Sequence, residues 1–208
     1  MVPPSDPPPL LQRLPEPELA VDADGWVAGA RRLDSPNQDA RPPGSRIELL
    51  LVHNISLPPG EFGTGCVEQL FTNCLPGDAH PYFGTLQGLR VSAHFLIARD
   101  GRLTQFVGCA QRAWHAGASE FEGRPACNDF SLGVELEGSD DVAYADEQYR
   151  VLGRLARALF AAYPLRAVRG HSDVAPGRKT DPGHAFDWRR LARDLDTDVA
   201  VFVPERLA

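Results

Sequence analysis

Residues 131–137 alternate strictly, with apolar Leu132, Val134 and Leu136 set between Ser131, Gly133, Glu135 and Glu137. A period of two marks a strand whose successive side chains point to opposite faces, so this segment has one apolar and one polar face. The run ending in His53-Asn54 is different: residues 47–52 are almost continuously apolar, as a strand buried on both sides would be. Residues 91–97 and 103–107 are predicted to form two further strands, joined by a turn at Asp100-Gly101, a familiar hairpin signal. The helical period takes over after Asp146. Tyr149, Leu152, Leu155, Ala156, Leu159 and Tyr163 share one face, Asp146 is the expected cap and Pro164 the stop. A second helix is predicted from Asp187 with Trp188, Leu191 and Leu195 inward, and a shorter one over residues 66–75. Strands alternating with helices predict an α/β (α+β) domain, a mixed central sheet flanked by helices, with its site where strands end in loops.

The first nineteen residues contain seven prolines, at 3, 4, 7, 8, 9, 15 and 17, which excludes helix and central strand there. The expected organisation is a flexible extension over 1–19, one catalytic domain over 20–200 and a tail over 201–208. Pro4-Ser5-Asp6-Pro7 fits a PxxP pattern, but Pro-rich tails produce such matches by chance. The formal net charge is −7 with no basic patch, which argues against nucleic acid as a partner. No apolar run reaches the roughly 18 residues of a membrane span, and the N-terminus has no secretory pattern, so a cytoplasmic location with no membrane and no obligate protein partner is expected. Cys66, Cys74, Cys109 and Cys127 form no CxxC pair, which favours reduced thiols. Core packing is expected for Cys66 and Cys74.

The chemistry concentrates near the C-terminus. His171-Ser172-Asp173 leads within ten residues to Lys179-Thr180-Asp181-Pro182-Gly183. An imidazole and a carboxylate on one irregular loop are two natural zinc ligands, and His53 at the end of its strand offers a third. Three protein ligands leave one position open, the arrangement of a catalytic rather than a structural zinc. Glu135 is the expected acid/base. It lies on the polar face of its strand with Gly133 and Ser131, whose small side chains are expected to leave room for substrate. Lys179 is the expected partner for an oxyanion. Taken singly, each residue has an ordinary alternative: a hydrogen-bonded core histidine, a turn aspartate, a solvated glutamate, a surface lysine. His94, inside an apolar strand, is expected to pack through hydrogen bonds; His80 and His184 are expected in turns, and Trp114-His115 before Gly117 in a loop lining the cleft.

Longer motifs then fall into order: Gly25-Trp26, Arg31-Arg32, Arg41-Pro42, His53-Asn54-Ile55-Ser56-Leu57-Pro58-Pro59-Gly60, Leu89-Arg90-Val91-Ser92-Ala93-His94, Trp114-His115-Ala116-Gly117, Cys127-Asn128-Asp129-Phe130-Ser131, Gly170-His171-Ser172-Asp173 and Arg178-Lys179-Thr180-Asp181-Pro182-Gly183. Over roughly residues 25–191 they resemble the cytosolic N-acetylmuramoyl-L-alanine amidases of the AmpD type, in the zinc-dependent type 2 family related to peptidoglycan-recognition proteins. The resemblance implies that His53, His171 and Asp181 hold Zn2+, that Glu135 and Lys179 are catalytic, and that small soluble anhydromuramyl peptides are cut between lactyl group and L-alanine during cell-wall recycling. Asn54, Arg90, Trp114, His115 and Arg124 are the expected substrate contacts. Ala126 stands where the family carries a further basic residue, which leaves Arg90 and Arg124 for the acidic peptide. Two rival readings are a non-catalytic binding module of the same fold and a cysteine hydrolase built on Cys127.

Overall fold

The computed structural model describes residues 18–195. The extension expected over 1–19 lies outside the described residues except for Glu18 and Leu19, as do the tail over 201–208 and the last five residues of the expected domain. Leu19 packs against the main core cluster.

Six strands form the central sheet: β1 (Arg31–Arg32), β3 (Leu49–Ile55), β4 (Phe95–Ile97), β5 (Leu103–Gln105), β9 (Ser131–Glu137) and β10 (Ala167–Gly170). Their order is β1-β5-β4-β9-β3-β10, and β4, β9, β3 and β10 run parallel to one another. Two small antiparallel pairs sit apart from it: β2 (Gln38–Ala40) with β6 (Gln111–Ala113), and β7 (Glu120–Phe121) with β8 (Arg124–Pro125). The helices are α1 (Cys66–Phe71), α2 (Pro81–Gly84), α3 (Asp146–Ala162), α4 (His171–Val174) and α5 (Trp188–Asp194).

The apolar stripe of α3 and the inner residues of α5 cover one face of the sheet, joining Leu50, Val52, Leu132, Val134 and Leu136 to Leu152, Leu155, Leu159, Trp188 and Leu191. Each fully buried leucine there contributes about 1.5–3 kcal/mol of transfer free energy before entropy is counted. The other face is covered as well: Phe71, Phe83, Leu96 and Phe106 form one cluster, and Leu49, Leu51, Ala116, Cys127 and Phe130 another. The polar face of β9 is therefore interior, with Ser131, Glu135 and Glu137 all buried. Glu137 accepts from the backbone N–H of Gly63 and Arg99, tying two loops to the strand end.

Several sequence expectations are corrected in detail. The strand expected over 91–97 is ordered only as Phe95–Ile97, because Ser92 turns to donate its N–H to Trp114 O and its hydroxyl to Asn37 O. Asp146 is the first residue of α3 and not its cap; Ala145 is the cap residue, and its N–H is taken by the Gln148 side chain. The helix expected over 66–75 ends at Phe71, and Asn73 adopts φ 60, which turns the chain outward. Cys74 is consequently exposed and Cys66 only half-buried, whereas Cys109 and Cys127 are the core cysteines.

Candidate active site and metal centre

Parallel pairing places the functional residues side by side. In the register of β3 and β9, His53 lies directly opposite Glu135 and Leu51 opposite Gly133. On the other side of β3, Gly170 of β10 pairs with Val52, so the next residue, His171, emerges beside His53. Glu135, His53 and His171 thus form a row at the carboxyl ends of three parallel strands, where open α/β sheets place their ligands. Asp181 arrives from the loop after α4. Ser172 donates its N–H to Asp181 O at 3.0 Å, and the Tyr144 hydroxyl donates to Pro182 O at 2.8 Å. Gly170 lets this loop approach, since a Cβ there would stand 2.7 Å from Pro182 Cδ.

His53 Nδ1 lies 3.0 Å from His171 Nδ1 and 3.0 Å from Asp181 Oδ2, and the last two are 3.1 Å apart. Tetrahedral zinc with ligands near 2.0–2.1 Å separates its donors by roughly 3.3 Å, close to this triangle. The protons agree. His171 Nε2 faces the carbonyl of Ala116 at 3.0 Å, an acceptor only, so the ring carries its proton there and presents a bare Nδ1. Two lone-pair donors 3.1 Å apart repel each other unless a cation lies between them. The donor set fits a metal ion, and among the described residues no other three His, Cys, Asp or Glu donors converge in this way.

Electrostatics separates the two carboxylates. Burial pushes the Asp181 carboxyl up, but its bonds to His171 and His53 outweigh that and hold it below the usual range. Glu135 moves the other way: burial raises it well above the usual carboxylate range, the Asp181 charge adds to the rise, and Lys179 opposes it. Glu135 Oε2 is buried with no hydrogen-bond partner. Burial also depresses His53, and His115 more strongly, where the neighbouring His53, His94 and His171 add to the effect. Lys179 itself is exposed.

The remaining expected residues are placed as follows. Arg90 is exposed, bonding only the carbonyl of Leu89 among the described contacts. The Trp114 indole N–H donates to Asp39 Oδ1 at 3.2 Å. Asn54 has the strand parity of Val52 and Leu50, opposite to His53, and its amide donates to Asp140 Oδ1 at 2.8 Å. Arg124 pairs with Glu48 at 3.0 Å and lies 3.9 Å over the Phe130 ring. His94 packs as expected, accepting from the Gly133 N–H at 3.0 Å. His80 caps α2, accepting from the Tyr82 N–H, and exposed His184 faces Asp141 at 3.7 Å. Cys127 is fully buried and burial raises its thiol, a poor setting for a nucleophile.

One reading of the sequence is reversed. The space above Gly133 and Ser131 is not open to substrate but filled by the His115 ring; a Cβ at Gly133 would stand 2.5 Å from His115 Cγ and Nδ1. Gly133 on an otherwise polar strand face was the available signal. Arg178 was also missed: it donates to the carbonyls of Ala116 and Ala118, strapping the 115–118 loop beside His171. No local pattern distinguishes it from a surface cation.

Comparison with known proteins agrees with this geometry. The family described as N-acetylmuramoyl-L-alanine amidase matches residues 43–184. The chain is 55% identical over 169 residues to the 1,6-anhydro-N-acetylmuramyl-L-alanine amidase AmpD of Escherichia coli (strain K12), covering 80% of this chain and 92% of that protein. A crystal structure of a selenomethionine AmpD derivative superposes with a TM-score of 0.82 at 51% identity, covering 84% of this chain and 98% of that one. The structure of AmpDh3 from Pseudomonas aeruginosa in complex with anhydromuramic pentapeptide gives 0.54 at 29% identity, over 74% of this chain and 61% of that one.

Proposed function

This chain belongs to the N-acetylmuramoyl-L-alanine amidase family, and on that premise we propose that it is the zinc-dependent hydrolase of the amide between the lactyl group of 1,6-anhydro-N-acetylmuramic acid and L-alanine in soluble muropeptides. The observation that carries this reading is the register of His53 against Glu135, which sets an unpartnered, buried carboxylate oxygen beside a three-donor cation site. His53, His171 and Asp181 would hold the zinc, which when bound acidifies water and polarises a carbonyl.

The chain's own residues supply the rest. Glu135, raised by burial, takes the proton of the attacking water and returns it to the leaving nitrogen of L-alanine. A carboxylate with an ordinary affinity for protons would be the weaker acid-base partner near neutral pH. Lys179 offsets the negative charge that develops on the lactyl carbonyl oxygen. The products are the lactyl carboxylate and a peptide with a free amino terminus. Arg90, exposed two residues before Ser92, whose N–H bonds Trp114 O, is our assignment for the peptide carboxylates, because Arg124 is engaged with Glu48.

Glu135→Gln tests the assignment. Zinc content and thermal unfolding should stay as in the wild type, while turnover of an anhydromuramyl tripeptide falls on the order of 10²-fold or more. Unchanged turnover would reject the acid/base role, and tight muropeptide binding by a wild type that never turns over would return the non-catalytic reading.

A further inference from the structure

Beneath the three converging donors runs a second chain of polar groups that the scheme above does not use. His53 Nε2 lies 3.0 Å from His115 Nδ1, and His115 Nε2 lies 3.3 Å from Ser131 Oγ. The ring of His115 is held by its surroundings: it lies on the Cα of Gly133, and the backbone N–H groups of His115 and Ala116 both donate to Asn128 Oδ1, at 3.2 and 2.8 Å. It meets His53 edge to face, with the ring centroids 5.1 Å apart.

We propose that His115 and Ser131 are positioning residues that accept the His53 Nε2 proton when a metal binds, so that a bare Nδ1 faces it. This rests on the reading that His53, His171 and Asp181 form the metal site. His171 has its tautomer imposed by a backbone carbonyl, which can only accept. His53 has no such partner, and its tautomer depends on the chain of groups behind it.

Two proton arrangements satisfy that chain. In the first, the Ser131 hydroxyl donates to His115 Nε2, His115 Nδ1–H donates to His53 Nε2, and His53 Nδ1–H points at Asp181 Oδ2. In the second every bond is reversed: His53 Nε2–H donates to His115 Nδ1, and His115 Nε2–H donates to Ser131 Oγ. Both contain the same number of protons, so passing between them changes two tautomers and one hydroxyl rotor and takes up or releases nothing. Only the second leaves His53 Nδ1 free for a cation. The first gives His53 and Asp181 a hydrogen bond to each other when no metal is bound. A hydroxyl at the end of the chain permits both, because it can donate or accept; a carboxylate there would hold only the second.

The test measures zinc affinity directly, by competition with a chromophoric chelator, alongside urea unfolding of each metal-free protein. His115→Phe keeps an aromatic ring on Gly133 but offers His53 no acceptor. His115→Asn restores an acceptor oxygen near the former Nδ1 position. Loss of a partner that orients a metal-ligating imidazole weakens binding by about 10–100-fold, so His115→Phe should fall in that range and His115→Asn within about threefold of the wild type. Ser131→Ala should weaken binding less, and in His115→Phe it should add nothing further. Wild-type affinity in His115→Phe, or equal weakness in the Phe and Asn variants, would overturn the proposal. A wild type that binds no zinc would instead remove the metal-site reading beneath it, a separate result.

Discussion

At position 94 an imidazole is sealed inside the protein, accepting from the Gly133 N–H at Nδ1 and facing Gln111 O, Arg41 and the His115 ring at its other side. Burial, with Arg41 adding to it, depresses its proton affinity well below the ordinary histidine value. The folded protein therefore holds His94 neutral, while the unfolded chain takes a proton near pH 6.5. Below that pH the unfolded state binds more protons, so stability present above it is lost as pH falls toward the folded value, at a limit of about 1.4 kcal/mol per pH unit. The expected result is that urea midpoints of the wild type drop between pH 6.5 and 5. His94→Gln should be less stable at pH 7.5 by about 1–3 kcal/mol, the cost of a disturbed buried hydrogen bond, yet show a shallower decline. Parallel declines for the two proteins would assign the pH dependence to other groups. Arg41 shows that burial can be offset: it is lowered only to about 10 and donates to the carbonyls of Cys109, Asn128, Asp129 and Ser131.

At the scale of elements, one polar side chain ties α3 to the sheet. Gln148 is fully buried, takes the Ala145 N–H, and donates to the carbonyls of Ile97 and Glu137, joining the start of the helix to the ends of β4 and β9. Met has nearly the same helix propensity and length as Gln, so Gln148→Met isolates these bonds. It should cost roughly 2–4 kcal/mol, since it leaves two carbonyls and one N–H unpaired. A loss under about 0.5 kcal/mol in urea unfolding would show that water replaces them. The apolar stripe of this helix was readable because 3.6-residue spacing is local; its cap was not, because a glutamine three residues on took the part that Asp146 suggested. The short strand at Phe95–Ile97 has the same origin, a competing bond from Ser92 to a residue far along the chain.

For the whole molecule, the site lies at the carboxyl ends of β9, β3 and β10, beside the 115–118 loop and the loop that carries Lys179 and Asp181. No helix among the described residues is long and apolar enough to cross a membrane. A 1,6-anhydro sugar has its C1 closed within the ring and ends its glycan chain, whereas a muramic residue inside a polymer is flanked on both sides. A site at the strand ends with a loop on either hand favours the former. Turnover of a soluble anhydromuropeptide should therefore exceed that of intact sacculi by at least about tenfold, a preference of roughly 1.4 kcal/mol in transition-state binding. Comparable rates, followed by release of free peptide, would sink the substrate preference and leave the amidase chemistry standing.

The sequence by itself determined the kinds of element and the chemical types at the site. Period-two and period-3.6 patterns lie within one segment, so the β9 alternation, the α3 stripe and the donor types at His53, His171, Asp181 and Glu135 were readable residue by residue. The tertiary structure alone decided who stands next to whom. His53 meets His171 across 118 positions of chain, and only parallel register sets it opposite Glu135. The same register brings Gly133 beneath His115, fills a space that composition marked as open, and buries Glu135 so that its carboxyl is raised. Burial and hydrogen-bond direction depend on neighbours supplied by other strands and loops, and no local pattern in the chain contains them.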